Sequence, residues 1–374
     1  MEQREHSWDA LRALLMLLGV PFHAALPYSF GVDVIVESDD PALSAELLGT
    51  VLHSFRMGVF FILAGYFAAR MLETRGARTW YAGRLRTLGL PLLAGMMFIV
   101  PVQLALRAHI AGLETGDAAA ATRTLLLTPG THWTSHLWFL VVLLEFSLVA
   151  ALAWPRLRQG LLALAQSIAA YPAPVVALVL APFVILPRLL FAASPFDTEA
   201  AAIILDLRRF LEYAPFFALG LMLHLNPGLL AGFTRLNWGV AALAIGSSAL
   251  FAYADLRGLP AIALAAKAVA GVAWGAVLLG LSRRYFTGRH AVIAWLAGAA
   301  FTIYLFHHPL VFLLAFMLEE TSFAPELRIA IIVGVAVALS CAIHALVERV
   351  PVLMLFLNGR RARPARATAV PGAA

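Results

Sequence analysis

An all-α, polytopic bundle of about ten transmembrane helices, with both termini cytoplasmic, is the fold this chain predicts. Three observations carry that expectation. Of 374 residues, 62% are hydrophobic and only 13% charged, too few charges to cover a water-soluble domain. The apolar residues gather in runs long enough to cross a bilayer. The arginines alternate, crowding every second connection between runs while the intervening connections are acidic or neutral.

Taken in order, the spans are expected at roughly 8–28, 47–69, 87–107, 135–153, 173–191, 205–224, 237–254, 260–281, 296–318 and 327–346. Arg70, Arg75, Arg78, Arg84 and Arg86 follow the second, Arg156 and Arg158 the fourth, Arg235 the sixth, and Arg283, Arg284 and Arg289 the eighth. Asp33, Glu37, Asp39 and Asp40 follow the first, Asp197 and Glu199 the fifth, and Glu319 and Glu320 the ninth. The positive-inside rule then puts both termini in the cytoplasm. Leu161 to Ala170 reads as an interfacial helix leading into the fifth span. Residues 1–358 form one membrane domain, and the Arg/Pro/Ala tail 359–374 is expected to be disordered. The first run is long and lacks a clear cleavage site, so it is expected to remain as a span.

Composition also narrows function. The net charge of +6 rests on arginines in loops, with one lysine, Lys267, and forms no basic stripe for nucleic acid. A single cysteine, Cys341, allows neither an intrachain disulfide nor a thiolate cluster. There is no phosphate loop, nucleophile elbow or dinucleotide fingerprint. His307 and His308 point about 100° apart on a helix, so they do not share one ion comfortably, and no metal site is expected.

The informative residues are ionisable ones inside apolar runs, which are functional-site candidates by default. Arg12 and His23 stand eleven residues apart in the first span, hence on nearly one helical face and toward opposite ends. Arg12 also has an interfacial, snorkelling reading; His23, deep in the run behind Pro21, is harder to explain that way. With the expected topology, His23, His53, Arg56, His136 and Lys267 lie toward the outer side and His307 near the middle. Arg12, Arg84 and Arg86 lie toward the cytoplasm. Arg84 and Arg86 are equally well explained as positive-inside charges. Asp206 with Arg209, and Arg208 with Glu212, have the spacing for pairing on one helix. Lys267 must pair with another helix or snorkel outward.

The blocks REHSWDALRALLMLLGVPFHAALPYS, LHSFRMGVFFILAGYF, SHLWFLVVLL, APFFALGLM and FTIYLFHHPLVFL, in this order, resemble the acyltransferase-3 membrane family, and within it a branch that succinylates periplasmic glucans. The resemblance runs to VERVPVLMLFLNG and so covers almost the whole chain. It implies an inner-membrane O-acyltransferase with no bound cofactor. The donor would be an acyl-CoA, succinyl-CoA, the acceptor a periplasmic glucan, and glucan-synthesis proteins candidate partners. His23 becomes the catalytic histidine, with His53, Arg56, His136 and His307 at motif positions. Arg12 and the arginines before the third span, Arg84 and Arg86, turn toward the donor. Direct transfer and a covalent acyl-histidine both remain open. Where the family usually has Ser-Gly after the paired phenylalanines, this chain has Ala64-Gly65, which argues against a serine nucleophile there. The rivals are acetylation of another surface polysaccharide and, from a different class, a transporter or flippase. Transporters often carry internal repeats, and none is visible here.

Overall fold

The structure, a computed structural model, describes residues 6–31, 34–128, 130–191, 203–286 and 291–360. Among these, eight helices are long and apolar enough to cross a membrane. They are α1 (Ser7–Tyr28), α2 (Leu43–Arg75), α3 (Ala77–Ile110), α5 (Ser135–Ile168), α9 (Trp238–Leu256), α10 (Pro260–Tyr285), α11 (Ala291–Leu318) and α12 (Pro325–Val347). Between them lie α4 (Ala118–Leu127), α6 (Ala173–Phe191), α7 (Leu207–Leu225) and α8 (Pro227–Phe233), and α13 (Pro351–Asn358) follows. Helices α7 and α8 meet at a 118° bend and together qualify as one further span.

The fold class is therefore a polytopic helical membrane protein, with eight such spans among the described residues, or nine if the bent pair is one span. The fifth expected span corresponds to the helix α6, Ala173–Phe191. Leu161 to Ile168 continues α5 without interruption, because Pro155 does not end that helix, so no separate interfacial helix forms there. From residue 361 onward the expected tail lies outside the described residues, as do Asp33, Asp197, Glu199 and Arg289. Large apolar side chains such as Phe98 (69% exposed) and Leu152 (74%) line the outside of the bundle, which suits lipid and not water.

Prolines shape the elements that carry the site. Pro21 has no N–H for the carbonyl of Leu17, and α1 breaks at Leu18 into two helical segments. In α3, Pro91 and Pro101 each follow a short π-helical stretch, Leu85–Gly89 and Gly95–Ile99, where the ladder slips by one residue. At the centre, α2 and α7 cross at backbone distance. A Cβ on Gly65 would fall 2.0 Å from the carbonyl oxygen of Phe217, and one on Gly220 2.0 Å from that of Ile62. Only glycine at both positions allows this approach. Around the crossing Phe61, Phe146, Tyr213 and Phe217 pack ring against ring.

Candidate active site

Two cavities of about 310 Å³ each lie one above the other inside the bundle. Met16, Phe60 and Phe139 border both. Phe60 and Phe139 meet edge to face, with centroids 4.7 Å apart, and both are buried. These three side chains form an apolar partition between the chambers.

The first chamber is arginine-lined. Arg12 from α1, Arg84 from α3 and Arg360 beyond α13 border it, together with Trp80 and Asn358. Arg12 pairs with Asp9 one turn earlier, at 3.3 Å, and Arg84 Nε donates to Ser147 Oγ, also at 3.3 Å. Arg360 stands exposed at the edge, where Gly359, in the left-handed conformation (φ 65°), ends α13. The chain is held there by Asn358, whose Nδ2 donates to Thr302 Oγ1 (3.1 Å) and to the Gly298 carbonyl (3.2 Å). Arg86 does not join the set: it is exposed and outside the lining, since Arg84 and Arg86 lie on different faces of the helix.

The second chamber gathers the histidines. His23, His53, Arg56, His136 and His307 all line it, with Tyr304, Lys267 and Glu212. The break in α1 makes room for this. A Cβ at Gly19 would come within 2.6 Å of Arg56 Nη1 and 3.5 Å of His307 Nε2, so glycine at the kink lets both side chains close on the backbone. Arg56 lies over the ring of Phe22 at 4.6 Å, and its buried Nε has no hydrogen-bond partner. His23 sits between the rings of His307 (5.3 Å) and His308 (4.6 Å). It is half-buried, and its Nδ1 is sealed without a partner.

The other histidines are already committed. His136 Nε2–H donates to the Leu305 carbonyl (3.1 Å), and its Nδ1 accepts from Gln103 Nε2 (3.3 Å). Leu305 has that carbonyl to offer because Pro309, four residues on, carries no N–H. His307 Nδ1–H turns back to the carbonyls of Tyr304 (2.7 Å) and Ile303 (3.0 Å), leaving Nε2 as the lone-pair nitrogen. Lys267 Nζ lies 3.1 Å from Glu212 Oε1 and 2.9 Å from His53 Nε2, so His53 accepts and the lysine pairs across helices instead of snorkelling. Asp206 accepts from the Arg209 backbone at the start of α7 and pairs with its guanidinium, as the spacing predicts. Glu145 accepts from the Asp206 N–H (2.8 Å) there. Among the described residues no group of three His, Cys, Asp or Glu side chains is arranged to hold a metal ion.

Of the candidate site residues, Arg12, Arg84, His23, His53, Arg56, His136 and His307 line these chambers, while Arg360 and Tyr304, and Gln103 that holds His136, were not picked out. Gln103, a buried amide in an apolar span, carried a signal that could have found it. Arg360 carried none, since it looked like the start of a tail.

A helical membrane bundle with these paired chambers belongs to a class of integral-membrane enzymes: the chain is a member of the acyltransferase-3 family, matching its acyltransferase domain over residues 5–345. The protein is thus a multi-pass membrane acyltransferase. Among its relatives, glucans biosynthesis protein C of Escherichia coli (strain SMS-3-5 / SECEC) is 28% identical over 324 residues, 82% of either chain. The proteins of the same name from Shigella dysenteriae serotype 1 and Escherichia coli O157:H7 are equally similar, at 28% over 82% of each chain. No solved structure matches the chain.

Proposed function

We propose that this acyltransferase moves a succinyl group from a cytoplasmic acyl-CoA to a hydroxyl of a glucan on the periplasmic side of a bacterial inner membrane. The observation that carries the reading is the pairing of an arginine chamber with a histidine chamber across one apolar partition. The phosphates of CoA suit Arg12, Arg84 and Arg360, because guanidinium groups grip phosphate oxygens with forked, charge-assisted hydrogen bonds. The acyl-pantetheine arm passes Met16, Phe60 and Phe139 and brings the thioester carbonyl beside His23.

His23 is the base. Its ring makes no hydrogen bond with the described residues and no carboxylate pairs with it, so the neutral imidazole is available for a proton. As the glucan oxygen bonds to the carbonyl carbon, its proton passes to His23. The developing oxyanion is met by the Arg56 guanidinium, whose Nε has no acceptor of its own. Collapse breaks the carbon–sulfur bond, and the CoA thiolate takes the proton back from the imidazolium. His136, held at both nitrogens, positions the neighbouring rings. A succinyl group ends in a carboxylate, and the chamber's cations, Arg56, Arg208, Arg209 and Lys267 against the one carboxylate of Glu212, favour such an acyl group over acetyl. The glucan acceptor rests on the printed name of the relatives.

Mass spectrometry of periplasmic glucans from cells with and without the gene tests the reading. Glucans should carry succinyl esters only when the gene is present, and Arg12→Ala should weaken acyl-CoA use, with Arg12→Lys restoring part of it. Unchanged glucans, or an acetyl ester on another polysaccharide, would reject it.

A further inference from the structure

Acyl transfer requires a second substrate at His23, and the side of His23 away from the arginine chamber is also hollow. A cavity of about 300 Å³ lies there, and His23 and Arg209 border both it and the histidine chamber. Its wall differs in chemistry from those of the other two. Gln103, Thr131, His132 and Ser135 bring amide, hydroxyl and imidazole groups, Arg107 and Arg209 bring guanidinium groups, and among the described residues no carboxylate lines it. His308 contributes a ring whose buried Nδ1 has no hydrogen-bond partner.

Ser135 is held in an unusual state at this wall. Its φ of 46° is the one positive value among the described non-glycine residues. Its Oγ–H donates to Gln103 Oε1 (2.7 Å), and the same Gln103 donates to His136. Left-handed backbone at a residue other than glycine is costly and collects at ligand and catalytic sites. The cavity also has a neighbour nearer the surface. Val34, Ile35 and Arg107 border it and, on their other side, a larger cavity of about 650 Å³ whose rim includes Glu37, Glu319 and Glu320. The two cavities thus abut on the side of His23 away from the arginine chamber, with Val34, Ile35 and Arg107 as the wall between them.

We infer that the 300 Å³ cavity is the acceptor subsite, where a neutral, polyhydroxylated sugar unit enters past Val34 and Ile35, hydrogen-bonds along Gln103, Thr131 and Ser135, and presents one hydroxyl to His23 opposite the acyl donor. The inference rests on the acyl transfer proposed above. The hydroxyls of Thr131 and Ser135 and the unpartnered Nδ1 of His308 suit a polyol, whereas an acyl chain would leave that buried nitrogen unpaired at a cost. The reacting hydroxyl loses its proton to His23 and gains the acyl carbon, while the CoA sulfur leaves on the far side. Donor and acceptor therefore approach through different openings.

The test uses the full chain in lipid nanodiscs with Cys341→Ser, and places a reporter thiol by Thr131→Cys in this cavity or Met16→Cys at the partition. The probes are CoA and the glucans purified from the periplasm of a strain lacking the gene. At about ten times their dissociation constant the glucans should slow maleimide labelling of Thr131→Cys about tenfold, the occupancy of a single site, and leave Met16→Cys unchanged. CoA should do the reverse. Protection of Thr131→Cys by CoA, or none by glucans, overturns the inference. Labelling needs no turnover: protection without acyl transfer would reject the proposed reaction alone, and transfer without protection would reject the subsite alone. Ile35→Trp gives an independent reading, since narrowing the neck should raise KM for glucan about tenfold with KM for acyl-CoA unchanged. A change in both, or in the donor value alone, again counts against the subsite.

Discussion

The histidines of the chamber divide by what their nitrogens already hold. His136 is bonded at both, His307 at Nδ1, and His53 by Lys267, while His23 faces the cavities with neither engaged. In the proposed mechanism that division separates the base, His23, from its supports. Glutamine at position 23 can hydrogen-bond but cannot accept a proton, so His23→Gln should lower transfer by about 10²–10⁴-fold. CoA binding should stay unchanged by calorimetry. Near-normal transfer would make His23 structural and move the search to His307. At this scale the sequence was informative where one helix carried both residues: Arg12 and His23 share a face by spacing alone, and each reaches its own chamber. It was silent where partners come from distant segments. Nothing local links Lys267 to Glu212, Gln103 to His136, or Arg360 to Arg12. Arg84 and Arg86 show the converse, since two arginines in one loop looked equivalent and only their helical phase parts them.

Among the elements, α11 ties backbone to chemistry. Pro309 frees the Leu305 carbonyl that fixes His136, so a residue normally harmful within a helix serves the site. Pro309→Ala supplies an N–H for that carbonyl and withdraws it from His136. The variant should melt no lower than wild type, since alanine favours a helix interior by about 3 kcal/mol over proline. Its kcat should nonetheless fall about fivefold, the worth of one hydrogen bond of about 1 kcal/mol. Full activity would show that the Leu305 contact does not position His136. The prolines were visible in the sequence, but what each released carbonyl would find was not, because the acceptor's new partner lies on another helix. The same holds for the π-helical turns of α3 and the sharp α7–α8 bend. Periodicity reads apolar length, not a slipped ladder.

For the whole molecule, helical class and membrane residence were legible from apolar run length, a property of the chain alone. The number of crossings was less so, because α7 and α8 are sharply bent against each other. The positive-inside rule expects the arginine-rich connections on the cytoplasmic side. Reporter fusions at Asp39 and Glu320 should read as periplasmic, and those at Arg78 and Arg284 as cytoplasmic. A cytoplasmic reading at Asp39 would invert the two chambers and place the arginines on the wrong side for a cytoplasmic donor.

Hollow space on both sides of a thin wall has a price for the cell that hosts it. If water fills the polar chambers, Met16, Phe60 and Phe139 are the side chains that border both and stand between compartments that differ in voltage. Each charge crossing that difference releases about 2.3 kcal/mol per 100 mV, so a gap would drain the gradient that powers the membrane. On the proposed reaction the wall serves as an electrical insulator as well as a gate for the acyl arm. The double variant Phe60→Ala, Phe139→Ala should make proteoliposomes leak protons, as reported by an internal pH dye, and acyl-CoA should plug the leak. On this view the enzyme stays sealed because its own substrate is what fills the passage when the aromatic pair yields.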